Sequence, residues 1–124
     1  MPEVRFPIAI VRGVPVVTVP AEVDVTTATG LRVALLKAAA DGSPALVVDM
    51  TRTRFCDSAG LRVLVRAHKQ ARAEGGAVLL AVSGDAVLRV LAITGIDVVI
   101  PNFSTLDEAL EAAIKSVADE TPTS

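Results

Sequence analysis

The chain has 124 residues, a net charge of −2 and a composition that is 52% hydrophobic, which suits one packed domain with one core. Three Phe and no Trp or Tyr make that core aliphatic. One Cys excludes an internal disulfide and a Cys-based zinc cage, one His limits metal chemistry, and the slight acidity argues against a general nucleic-acid binder. No apolar run approaches the roughly 20 residues that span a bilayer, and no long apolar core follows a basic start. The expectation is a cytoplasmic protein with no signal peptide, no membrane insertion and no direct nucleic-acid contact.

Residues 4–11 read as a strand, and Val16, Val17, Thr18 and Val19 resume extended structure. Gly13 and Pro15 are the turn residues between them, which predicts a hairpin with a loop longer than the tightest type. Pro7 places the first strand at an edge. Ala21-Glu22-Val23-Asp24 leads into a helix capped by Asp24 or Thr26. Its apolar face is Leu31, Ala34, Leu35 and Ala38, with Gly42 as a stop and Pro44 beyond it.

Ala45–Met50 is apolar apart from Asp49, as a buried parallel strand is. Residues 51–57 form a loop, and residues 59–73 form a helix. Leu61, Leu64, Val65 and His68 make the apolar stripe of that helix, while Arg62, Arg66 and Lys69 face out and Gly75-Gly76 ends it.

Ala77–Val82 is the next buried strand. Ser83-Gly84-Asp85 starts a helix with Val87, Leu88 and Leu91 facing inward, stopped near Gly95. Residues 96–100 read as a short last strand, and Pro101-Asn102 turns the chain. Ser104 or Thr105 caps a final helix, and Thr105-x-x-Glu108 fits a capping box. Leu106, Leu110, Ala113, Ile114 and Val117 form its buried face. The domain is expected to span residues 1–118, with the polar residues 119–124 as a frayed tail.

The resulting order is β-β-α-β-α-β-α-β-α. It predicts an α/β domain whose mostly parallel or mixed sheet has about five strands. Four helices cover that sheet through right-handed crossovers. Sites in such sheets lie beyond the carboxyl ends of strands. The loop carrying Asp57 and Ser58 lies there.

Ser58 stands where a strand hands over to a helix. Asp57 or Ser58 can cap that helix, because a short side-chain oxygen accepts a hydrogen bond from an unpaired N–H. The same helix start tolerates negative charge. A phosphate on Ser58 thus suits its own helix while changing what a partner meets.

Arg54-Phe55-Cys56-Asp57-Ser58-Ala59-Gly60-Leu61, preceded by Leu46-Val47-Val48-Asp49-Met50, resembles a particular family pattern. It is similar to the strand, phosphorylation loop and D-S-x-G-L signature of the STAS domain family. The likeness is to the free-standing anti-sigma factor antagonists of bacterial sporulation and stress response. Ala21-Glu22-Val23-Asp24 resembles the family's G-E-L-D, with Ala21 where the family usually has Gly. Ile93-Thr94-Gly95-Ile96, Val98 to Pro101 and Ser104 to Ala109 resemble its C-terminal helix-strand-helix.

The resemblance implies a cycle. The unphosphorylated antagonist binds an anti-sigma factor that is also an ATP-dependent serine kinase, and this frees a sigma factor. The kinase phosphorylates Ser58 and the complex dissociates. A metal-dependent serine phosphatase restores the free form. With Arg62 added from its position one helical turn beyond Ser58, the resemblance places partner contacts at Asp24, Asp57, Ser58, Ala59, Gly60 and Leu61. It implies no enzymatic activity and no cofactor of this chain's own, since nucleotide and metal belong to the partners. A monomer is expected for the free protein.

Several residues carry two readings. Asp57 either contacts the kinase or fixes the loop. Arg62, one helical turn beyond Ser58, contacts an acidic partner surface or the phosphate, or belongs to a solvated basic face with Arg52, Arg54, Arg66, Lys69 and Arg72. Thr51 and Thr53 are alternative acceptors. Cys56 is read as a packed small side chain, because the one His lies in the apolar stripe of the following helix and a thiolate needs an activating partner. His68 is read as a core-edge residue with its polar end hydrogen-bonded.

Rival functions lack their signatures. A receiver domain needs an acidic pair after its first strand and a Lys after its last. A nucleotide enzyme wants a Gly-rich strand–helix turn, and a hydrolase wants G-x-S-x-G. None is present. The alternative kept is a STAS scaffold that is not phosphorylated, or the soluble subunit of a membrane transport complex. A small-ligand sensor is a third.

Overall fold

Two antiparallel strands, β1 (Ile8–Val11) and β2 (Val14–Thr18), are joined by Arg12 and Gly13 alone. The structure, a computed structural model, describes residues 6–40 and 42–119. The start of the expected first strand and residues 120–124 of the expected tail lie outside the described residues. Both turn residues have positive φ, 53° and 82°, the backbone whose twist matches the flanking strands. The hairpin loop is thus of the shortest kind, not the longer one expected. Gly13 makes the turn, and Pro15 is inside β2 opposite Ile10.

A short strand β3 (Glu22–Val23) precedes helix α1 (Ala28–Ala39). Then come β4 (Ala45–Met50), a second short strand β5 (Phe55–Cys56) and helix α2 (Ser58–Ala73). The rest is β6 (Ala77–Val82), α3 (Asp85–Thr94), α4 (Ile96–Val99), β7 (Asn102–Phe103) and α5 (Leu106–Asp119). The main sheet has the order β1-β2-β4-β6-β7, antiparallel at the β1 edge and parallel elsewhere. Pro7 leads into that edge strand, as expected. The strands β3 and β5 form a separate parallel pair.

The sheet is covered on both faces. Alternation along β4 sends Leu46, Val48 and Met50 to one core and Ala45 and Val47 to the other. The larger core receives Leu31 and Leu35 of α1, Leu64 of α2, Leu91 of α3 and Ile96 of α4. The smaller one is closed by α5 through Ala109, Leu110 and Ala113. Leu106 and Ile114 are half-buried, and the side chain of Val117 lies outside the described set.

Three expectations need correction. Residues 96–100 are not a strand. Gly95 takes a left-handed turn at φ 78°, and the next four residues form α4. Ile96 and Ile100 are buried while Val98 is 88% exposed. A strand would have buried Val98 with them, so the spacing is helical. The last strand is instead Asn102–Phe103, and the Asn102 side-chain amide donates to the carbonyls of Asp97 and Ile100, tying it to α4. Among the described residues the count is therefore five helices, with the five-stranded sheet kept. Leu88 is exposed, so α3 faces the core through Val87 and Leu91. Neither Asp24 nor Thr26 caps α1: the N-cap is Thr27, without a side-chain bond to the helix.

At α5, Thr105 Oγ accepts from the Glu108 N–H at 3.1 Å, and its hydroxyl donates to the Glu108 carboxylate at 3.1 Å. The capping-box residues thus pair with each other.

Candidate functional site

The short β3–β5 pair assembles the site. Glu22 aligns with Phe55 and Val23 with Cys56, so Asp24 and Asp57 follow at the same end of the ladder. The Asp57 N–H donates to the Val23 carbonyl at 3.0 Å, extending the pairing by one step. The Ala21 carbonyl accepts from the Arg54 and Phe55 N–H groups at 2.7 and 3.1 Å. Ala21 is not among the described residues with positive φ, so Ala in place of the family's Gly carries no backbone strain here.

Asp57 is the N-cap of α2. Its backbone is extended, at φ −83° and ψ −177°. One carboxylate oxygen accepts from the Ala59 N–H at 3.0 Å and the Gly60 N–H at 3.2 Å. Of the two capping readings, Asp57 takes the role and Ser58 becomes the first helical residue. Ser58 is exposed, and its hydroxyl has no hydrogen-bond partner among the described residues.

The other loop hydroxyls are already used. Thr53 is 1% exposed and donates to the Pro20 carbonyl at 3.0 Å. Thr51 is half-buried and donates to the Asp49 carboxylate at 2.7 Å.

Gly60 sits where the first turn of α2 presses on the short ladder. A Cβ there would lie 2.7 Å from Cys56 Sγ and 2.8 Å from Val23 Cγ1. Only a glycine lets the helix start this close. Leu61 is buried in the larger core. Gly60 and Leu61 therefore seat the helix, while Ser58 and Arg62 are exposed and Asp57 and Ala59 half-exposed beside them.

Cys56 is buried, and burial pushes its thiol up to about 12, with the Asp57 charge adding to the effect. A thiol held neutral this firmly is a packing group, not a nucleophile. His68 lies farther along α2, buried, with Nδ1 accepting from the Val78 N–H at 3.2 Å.

Residues 5–109 match the STAS domain family. This chain belongs to it. The anti-sigma-F factor antagonist RsfB of Mycobacterium tuberculosis is 33% identical over 100 residues, covering 79% of this STAS chain and 80% of that protein. A crystal structure of an anti-sigma factor antagonist from Mycobacterium paratuberculosis has a TM-score of 0.80 at 35% identity, covering 87% of this chain and 92% of that one. The Bacillus cell fate determinant SpoIIAA, solved in its phosphorylated form, shares the fold: TM-score 0.65, 19% identity, coverage 86% and 97%. The expected single STAS α/β domain is borne out.

The surface of this STAS domain around Ser58 is built from two fixed carboxylates and two exposed apolar groups. One Asp24 oxygen accepts from the Thr26 hydroxyl at 2.6 Å, the Thr26 N–H at 2.9 Å and the Thr27 N–H at 3.2 Å. The Thr26 hydroxyl first, and then these backbone groups, hold the Asp24 carboxyl below its usual range. Val25 is 71% exposed and Phe55 is 51% exposed. Sequence reading passed over both. For Phe55 the signal was parity, since Cys56 points inward and its neighbour must point out. For Val25 there was none, because the turn at Asp24 breaks the alternation. Arg62, one turn beyond Ser58, is exposed and has no carboxylate partner among the described residues.

Proposed function

We propose that this STAS domain is a cytoplasmic anti-sigma factor antagonist. It binds an anti-sigma factor that is also a serine kinase, through Asp24, Asp57, Ser58 and the exposed first turn of α2. That binding frees a sigma factor. Transfer of the ATP γ-phosphoryl group to the Ser58 oxygen ends the association, and a metal-dependent serine phosphatase restores it. This chain is the regulated surface rather than an enzyme.

The observation that carries this reading is the unspent Ser58 hydroxyl. It is exposed at a helix start whose capping is already done by Asp57. The names of RsfB and of the Mycobacterium paratuberculosis protein support the antagonist role. A phosphate on Ser58 adds roughly −1.5 to −2 charges beside Asp57. Its own helix tolerates that charge, whereas a desolvated interface does not. In the free protein Arg62 lies within one turn to receive it.

The test is incubation of the purified protein with ATP and candidate anti-sigma kinases from the same genome, with Ser58→Ala in parallel. Mass spectrometry should find one phosphate, on Ser58, absent from the variant, and modified protein should bind the kinase more weakly. Binding without modification assigns a constitutive antagonist or scaffold instead. Neither binding nor modification by any candidate favours the transport-subunit and ligand-sensor readings.

A further inference from the structure

An open groove of about 880 Å³ lies between α1 and α2, within the roughly 300–1,000 Å³ of small-molecule sites. Its origin is in the sequence. Each helix crosses between parallel strands, α1 from β2 to β4 and α2 from β4 to β6, so the two helices run parallel to each other over one sheet face. Small side chains alternate with larger ones along its walls: Ala39 beside Leu36 on α1, and Ala59, Ala67 and Ala71 beside Val63 on α2. Side chains the size of alanine leave the space between two helix axes open. The floor beneath is apolar, made by Leu35, Leu46 and Val78, all buried.

The groove is polarised along its length. Arg32, Arg62 and Arg66 line it, and all three are exposed. Arg62 and Arg66 are one turn apart on the same side of α2. Arg32 stands across from them, one turn inside the start of α1 as Arg62 is inside the start of α2. None has a carboxylate partner among the described residues. Among the described residues the one acidic residue lining the groove is Glu74, at the opposite end of α2, where its carboxylate accepts from the Gln70 amide at 2.9 Å.

A cationic end, an apolar bed and an acidic far end define one ligand chemistry. We propose that this groove binds a single-chain amphiphile with an anionic head, carboxylate or phosphate. The head lies among Arg32, Arg62 and Arg66, whose planar guanidinium groups suit two-oxygen contacts. The chain lies along Leu35, Leu46 and Val78, away from Glu74. A nucleotide fits less well, because the floor offers its base only apolar side chains. The head end adjoins Ala59, next to Ser58, so an occupant shares Arg62 with the partner-binding surface. Binding itself needs no partner, and its test is independent of the kinase reading.

Calorimetric titration of the whole protein with dodecanoate and with dodecyl phosphate, each below its micelle concentration, tests the site. Saturable one-to-one binding is expected for at least one, with amide shifts centred on α1 and α2. Binding of dodecanoate alone identifies a carboxylate ligand, and binding of dodecyl phosphate alone a phosphate one. Acetate, lacking the chain, and dodecyltrimethylammonium, lacking the negative head, should not bind. Arg66→Glu, at an exposed position, and Ala67→Leu, which fills the bed, should each weaken binding about tenfold or more. If Ala67→Leu does not fold, Arg66→Glu and the head-group controls decide. The proposal fails if neither anion saturates or if the cationic amphiphile binds equally. It also fails if Arg66→Glu changes nothing, or if the shifts centre on the exposed apolar surface of Ile93 and Val98.

Discussion

Removal of the Asp57 carboxylate leaves the Ala59 and Gly60 N–H groups at the start of α2 without their acceptor. Loss of such a cap costs about 1 kcal/mol, within a range of roughly 0.5–2. The adjacent Ser58→Ala removes an exposed hydroxyl with no partner among the described residues, and should stay within about 0.5 kcal/mol of the parent. Urea unfolding of both variants measures the difference. Equal losses would return a structural role to Ser58 and remove the main support for its modification. Gly60→Ala tests the neighbouring contact. The added methyl meets Cys56 Sγ and Val23 Cγ1 inside 3 Å, and overpacking of this kind costs roughly 1–3 kcal/mol. A Gly60→Ala midpoint equal to the parent's would show that α2 can lift off the short ladder freely. In the sequence the cap of this helix start was undecided. Asp57 and Ser58 both carry a short oxygen, and only the extended ψ at Asp57 settles which one turns back onto the helix.

Long elements were legible in the sequence because their periodicity repeats. The buried runs of β4 and β6 and the apolar stripes of α2 and α5 follow directly from it. Two-residue elements were not. The β3–β5 pair is too short to show alternation, yet it aligns Asp24 with Asp57. The β-branched run at 96–100 imitates a strand, and only its burial, Ile96 and Ile100 in and Val98 out, reveals α4. That substitution gives His68 its task. β7 begins its pairing at Leu80, leaving the Val78 N–H without a strand partner on that side, and His68 Nδ1 accepts it. The ring must therefore be neutral at Nδ1. Burial first, and the Arg72 charge second, push its pKa below the ordinary value. The unfolded chain, at about 6.5, takes up the proton more readily than the folded one. Stability from this group is therefore complete above pH of about 6.5 and is lost as pH falls below it. The loss stops once the depressed folded-state pKa is passed. Urea midpoints at about pH 7.5 and about pH 5.5 should fall further in the parent than in His68→Gln, whose amide oxygen can still accept from Val78 without titrating. Parallel losses in the two proteins would place the acid sensitivity elsewhere.

For the molecule as a whole, the parallel order with helical cover was readable from strands alternating with helices. The division of labour between the two faces was not. Among the described residues four helices share one core and α5 alone closes the other, and only the sheet order β1-β2-β4-β6-β7 decides which side each crossover takes. This arrangement bears on how the proposed switch at Ser58 would act. α2 is held by Leu61 and Leu64 in the larger core and by His68 against β6, well beyond its first turn. A negative charge at position 58 meets the positive end of that same helix. Fold and partner affinity should thus respond in opposite directions. Ser58→Glu is expected to leave stability unchanged or raise it by about 0.3–1 kcal/mol. It should weaken binding of the proposed anti-sigma kinase about tenfold or more, as a like charge set into a desolvated contact does. Denaturant unfolding and equilibrium binding on the same preparation measure the two quantities. Amide shifts should change around Asp24 and the first turn of α2, and not across the β4–β6 ladder. A fall in both quantities together would mean that the charge disrupts α2. Release would then work by partial unfolding rather than by a changed surface on an unchanged fold.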